Sequence, residues 1–139
     1  MKTEDLKNAD VILLGVSRTS KTPTSIYLAN RGYKTLNIPL VNNQEIPTIL
    51  KEKPNKFCVI GLVVEASRLS DIRANRLEIM KEVNIPNYSN LEFVQKELED
   101  SKKLFKKYDW PLIDVTRRSV EETAASVIRI YEIKKSQNK

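Results

Sequence analysis

Histidine is absent from this 139-residue sequence. Its absence removes serine–histidine and cysteine–histidine nucleophile pairs, a histidine general base, and every zinc site built on imidazole. Cysteine occurs once, at Cys58, so no internal disulfide or thiolate cluster can form, which points to a reducing, cytoplasmic setting. Long apolar runs are also missing: the longest fall far short of the length a bilayer requires, so no membrane partner is expected. The opening Met1-Lys2-Thr3-Glu4-Asp5 is too acidic and polar for a secretory leader. Glycine is scarce, with three in all. Two of these, Gly15 and Gly61, fall on strands or strand ends, which suggests that something approaches the backbone there.

What remains is ordinary globular material. Hydrophobic residues make up 40% and charged residues 30%, so one core and a single domain over residues 1–139 are expected rather than disorder. Lysine and arginine number 24 against 18 acids, for a net charge of +6 and a pI near 9.4. That balance suits anionic partners without choosing among nucleic acid, nucleotide phosphate and an acidic protein surface. Part of the excess lies in residues 134–139, read as a solvated, flexible tail rather than a binding element.

The pattern along the chain alternates strand and helix. Asp10 to Gly15 reads as a buried strand, followed by the polar stretch Val16 to Thr22 and a helix from about Thr22 to Asn30. A second strand is expected over 34–40, a short helix over 47–51, and the most hydrophobic strand over 57–64. Helices should follow over 67–83 and 91–108, then a strand over 111–115 and a helix over 120–133. Ser119 with Glu122 matches a capping box for that last helix. The fold class is therefore α/β: a parallel sheet of about four strands with helices on both faces, like a P-loop kinase.

Gly15-Val16-Ser17-Arg18-Thr19-Ser20-Lys21-Thr22 fits the phosphate-loop pattern Gly-x-x-x-x-Gly-Lys-Ser/Thr, except that Ser20 replaces the second glycine. Backbone N–H groups and a helix start can surround phosphates with donors. Lys21 would neutralise the terminal phosphates, and the Thr22 hydroxyl would bind a magnesium ion bridging them. The alternative is a plain polar loop with a lysine at a helix start, but the position between a buried strand and a helix favours the phosphate loop.

Arg68, Asp71, Arg73 and Arg76 follow the central strand. Arg73 and Arg76, spaced to share a helix face, could clamp phosphoryl oxygens or simply form a solvated face with internal ion pairs. Arg117 and Arg118, beyond the last strand, could reach phosphate or the base, or stand in solvent. With histidine excluded, Glu65, Asp71 and Asp114 are the candidates for accepting a hydroxyl proton, and they are not ranked.

Residues 15–32, Asn37 to Val41, Gly61-Leu62, Arg68-Leu69, Ile72 to Leu77 and Asp114 to Ala124 together resemble the pyruvate, phosphate dikinase regulatory protein family. Ser20 before Lys21 is the form of its dikinase-directed branch, whereas the sister branch acting on phosphoenolpyruvate synthase more often has glycine there. The resemblance implies a bifunctional enzyme. It would phosphorylate a threonine of the dikinase with ADP as donor, and would remove that phosphate by attack of inorganic phosphate, releasing pyrophosphate. Residues 15–22 match the family's ADP-binding loop. The dikinase would be the protein partner, with no nucleic acid involved and a homodimer left open. Family members are substantially longer and carry a region ahead of this loop, so the chain resembles their C-terminal nucleotide-binding domain. A non-catalytic nucleotide-binding fragment, or a regulator of phosphoenolpyruvate synthase, is the alternative.

Overall fold

A computed structural model describes residues 3–41, 45–80 and 88–137. In chain order the elements are α1 (Thr3–Asn8), β1 (Val11–Gly15), α2 (Lys21–Asn30), β2 (Thr35–Pro39), α3 (Thr48–Glu52), β3 (Val59–Val63), α4 (Ala66–Met80), α5 (Leu91–Lys107), β4 (Leu112–Asp114) and α6 (Val120–Gln137). The four strands form one sheet in the order β2-β1-β3-β4, and every pairing is parallel. The expected α/β architecture is present.

Side chains of a strand alternate between faces, and here both faces are covered. Val11 and Leu13 of β1 join Ile60 and Leu62 of β3 in one cluster with Leu28 of α2, Leu69 of α4, Val94 and Leu98 of α5, and Ala124 and Val127 of α6. Ile12 and Leu14 turn to the other side with Val59 and Val63, against Leu6 of α1, Leu50 of α3, Phe105 of α5 and Trp110. Gly61 lies between Val59 and Val63, and a Cβ placed there would run into the Phe105 ring. What approaches this glycine is an aromatic side chain of the core, not a ligand.

The ends of several helices follow from local chemistry. The Ser119 hydroxyl accepts from the Glu122 N–H at 3.1 Å, and the Ser119 N–H donates to the Glu122 carboxylate at 3.3 Å, so the capping box forms. Asn90 caps α5 by accepting from the Phe93 N–H at 3.1 Å. Two expectations need correction. Helix α1, not foreseen, buries Leu6. Helix α6 runs to Gln137, so most of the expected flexible tail is ordered helix with exposed residues; lysines at a helix C-terminus favour the dipole there. The expected helix over 67–83 is observed as Ala66–Met80, and 81–83 lie outside the described residues. Among the described residues, no helix is long and apolar enough to cross a membrane.

The strand order reverses between β1 and β3. From β1 the chain moves to β2 on one side, and from β3 it moves to β4 on the other. The connections leaving these two central strands therefore diverge at their carboxyl ends, which opens a crevice where open α/β sheets bind ligands.

Candidate phosphate-binding site

Residues 16–20 link the end of β1 to the start of α2 at this crevice. Gly15 is confined by its own loop: a Cβ there would lie 2.5 Å from Thr19 Oγ1 and 3.1 Å from the Leu62 carbonyl oxygen. The loop then turns sharply through left-handed backbone at Arg18 (φ 69°) and at Ser20 (φ 65°). Ser20 thus adopts the conformation for which the usual phosphate loop employs glycine, at a strain of roughly 1 kcal/mol. Its side chain makes no capping hydrogen bond to α2.

The carbonyl side of the loop is well occupied. Val16 O accepts from Thr19 Oγ1 at 2.9 Å and from Lys21 Nζ at 2.7 Å, and Lys21 Nζ also lies 3.3 Å from Thr19 Oγ1. The amide side is open. The backbone N–H groups of Ser17, Arg18, Thr19 and Ser20 donate no hydrogen bond among the described residues. Four consecutive unpaired donors at a helix start form a concave receptor for an anion. A cavity of about 420 Å³ lies over them, lined by Ser17 to Pro23 with Pro39 and Ile72.

Lys21 is 9% exposed. Burial, with Arg73 and Arg18 nearby, lowers its pKa to about 8. Thr22 is exposed at the cavity wall, and its hydroxyl has no partner among the described residues. That oxygen donor suits a hard cation such as magnesium. No group of three or more acids, cysteines or histidines that could hold a metal occurs among the described residues.

The arginines separate into different roles. Arg73 is 1% exposed: it forms an ion pair with Glu97 at 2.5 Å and donates to Ser17 O at 3.2 Å. Arg76 and Arg68 are exposed on α4. The pairing of Arg73 with Arg76 on one open face is therefore not what the structure contains. Arg18 lines the loop cavity, whereas Arg117 and Arg118 line another, of about 500 Å³, with Glu65, Asp114, Thr116 and Glu122.

The acids differ as well. Asp114 accepts from the Thr116 N–H at 2.9 Å and also from the Thr116 hydroxyl, and that hydroxyl accepts from the Glu65 N–H at 2.8 Å. Partial burial tends to raise the Asp114 pKa, but the two Thr116 bonds, helped by Lys102 and Arg118, outweigh it and leave the carboxyl below its usual range. Glu65 accepts from Ser67 Oγ at 2.8 Å. Asp71 is exposed on α4 beside Ile72. None of the three lines the loop cavity. The brace formed by Thr116 and the hold of Glu97 on Arg73 were not anticipated from the sequence; a threonine two residues after a strand-end aspartate is a turn signal that could have shown the first.

This is an α/β domain with an open set of loop amides and a lysine at the crevice where its strand order reverses. A model of the kinase/pyrophosphorylase family matches residues 1–128, and the chain belongs to that family. It is 65% identical over 133 residues to a protein of Pelagibacter ubique (strain HTCC1062) named pyruvate, phosphate dikinase regulatory protein, covering 96% of this chain and 48% of that one. Similarly named proteins of Bartonella bacilliformis and Ehrlichia ruminantium (strain Welgevonden) are 52% and 49% identical, covering 92% and 91% of this chain and 45% and 46% of theirs. The chain thus spans about half the length of the curated relatives it matches.

Proposed function

We propose that this chain binds ADP through residues 15–22 and forms the phosphoryl-transfer domain of a regulator of pyruvate, phosphate dikinase. The observation that carries the reading is the run of four loop amides beside Lys21 that have no partner among the described residues, in a chain of the kinase/pyrophosphorylase family. In the forward direction a threonine hydroxyl of the dikinase attacks the β-phosphorus of ADP, AMP leaves, and the hydroxyl proton passes to a base. In the reverse direction inorganic phosphate attacks the phosphothreonine phosphorus, so pyrophosphate forms and the threonine hydroxyl is restored. Both reactions ask mainly for positioning and charge stabilisation, which amides, lysine and arginine provide without histidine. Lys21 would leave Val16 O to meet the phosphates, and Thr22 would help to hold a magnesium ion, which would supply neutralisation of phosphate charge.

Glu65 and Asp71 suit the base role better than Asp114, whose depressed pKa and Thr116 bonds favour its ionised form at rest and make it a weak proton acceptor. Calorimetry with ADP tests the site: binding to the unmodified chain should be lost or greatly weakened in Lys21→Ala, and equal affinity would overturn the reading. Incubation with dikinase and ADP, followed by mass spectrometry for phosphothreonine, tests the activity. ADP binding without transfer would favour a non-catalytic nucleotide-binding role. Transfer to phosphoenolpyruvate synthase instead would move the assignment to that target.

A further inference from the structure

We infer that Arg73 is a positioning residue for the phosphate loop, held between Glu97 and Ser17 and completed by Tyr88 so that the loop amides stay turned toward an incoming diphosphate. The inference rests on the reading of residues 15–22 as the ADP loop. Both oxygens of Ser17 are held from the same side: its carbonyl accepts from Arg73 Nη2 at 3.2 Å, and its hydroxyl is hydrogen bonded to the Tyr88 hydroxyl at 2.9 Å. Arg73 is itself held by Glu97, by the Tyr88 carbonyl at 3.0 Å and by the Tyr88 ring, whose centroid lies 4.7 Å from its guanidinium carbon.

Peptide planarity turns these contacts into a statement about the loop. In a trans peptide the C=O and the following N–H point in opposite directions, and no cis peptide occurs among the described residues. Drawing the Ser17 carbonyl toward Arg73 therefore turns the Arg18 N–H away from Arg73. Likewise, the hold of Lys21 and Thr19 on the Val16 carbonyl fixes the direction of the Ser17 N–H. Two neighbouring peptide units are pinned by their oxygens, and their donors are left unpaired. The left-handed Arg18 lies immediately after the pinned unit, a conformation that persists only where its surroundings impose it. Among the described residues the fork also leaves Arg73 Nε buried without a partner.

Two variants test the inference in the full chain. Removing Arg73 alone would leave the largely covered Glu97 carboxylate unpaired, so the pair is replaced together, as Arg73→Met with Glu97→Met. Tyr88→Phe removes only a hydroxyl. Calorimetry should show ADP affinity reduced about tenfold or more in the double variant and roughly threefold in Tyr88→Phe, the scale of a charge-assisted and a neutral hydrogen bond. The melting temperature of Tyr88→Phe should stay within about 2 °C of the unmodified chain, since one exchanged hydrogen bond has little effect on global stability. Saturating ADP should slow amide hydrogen exchange at residues 17–20 of the unmodified chain and slow it less in Tyr88→Phe, while exchange in β1 is the same in both, a local signature that a general loss of stability would not give. Unchanged ADP affinity in these variants overturns the positioning role, and if the double variant fails to fold, Tyr88→Phe decides. Absence of ADP binding by the unmodified chain overturns the ADP reading and this inference with it.

Discussion

Lys21 Nζ donates to the carbonyl oxygen of Val16 at 2.7 Å, so the ammonium rests on the loop to which it belongs. Any phosphate must compete with that carbonyl. Affinity is then the difference between two well-made contacts, and the protonation state of Lys21 enters it directly.

ADP affinity should fall as pH rises through about 8, because Lys21 loses its proton there. A bound phosphate favours the charged form and shifts the fall somewhat higher. Lys21→Arg stays protonated across this range, so its residual binding should lose the dependence; calorimetry at pH 7 and pH 9 on both proteins is the check. Stability should move the other way. The folded pKa lies below the unfolded value, so the unfolded chain binds more protons between about pH 8 and 10.5, and the Lys21 contribution makes folding more favourable with rising pH across that window.

Ser20→Gly should stabilise the fold by about 0.5–1 kcal/mol in urea unfolding. The side chain makes no capping bond to lose, and φ 65° suits glycine. A branched residue is worse placed, and Ser20→Val should cost more than about 1 kcal/mol.

Gly61→Ala drives a methyl group into the Phe105 ring and should destabilise by about 1–3 kcal/mol. Phe105→Leu leaves space behind and should also destabilise. The two changes share one volume, so the double variant should be more stable than the sum of the single effects allows, as a double-mutant cycle by chemical unfolding would show.

Asp114→Asn weakens the bracket that ties the end of β4 to Thr116 and, through it, to Glu65. The group is exposed, so at neutral pH the loss should stay within about 1 kcal/mol. Because its folded pKa is depressed, the Asp114 carboxylate contributes stability above its unfolded pKa and loses it as pH falls through the folded value. Acid unfolding of Asp114→Asn should therefore depend less steeply on pH than that of the unmodified chain.

Much of this arrangement was legible in the sequence because β1 and β3 are continuous apolar runs and the loop between β1 and α2 carries its own motif. Helix α1 was not, since Leu6 is its single buried apolar residue and one residue sets no period. A glycine at 61 signals a close approach to the strand, but nothing local shows that Phe105, forty-four positions later, is what approaches. The three arginines of α4 have similar local contexts. Which of them is buried depends on Glu97 and Tyr88 from another part of the chain, and spacing within one helix cannot reveal that.

Strand β4 spans only Leu112–Asp114 and, among the described residues, pairs with β3 alone. It is preceded by Pro111, which has no N–H to offer, and followed by the turn that folds Thr116 back onto Asp114. Its outer margin therefore exposes few backbone donors and acceptors to another strand, which protects this edge of the sheet from edge-to-edge association.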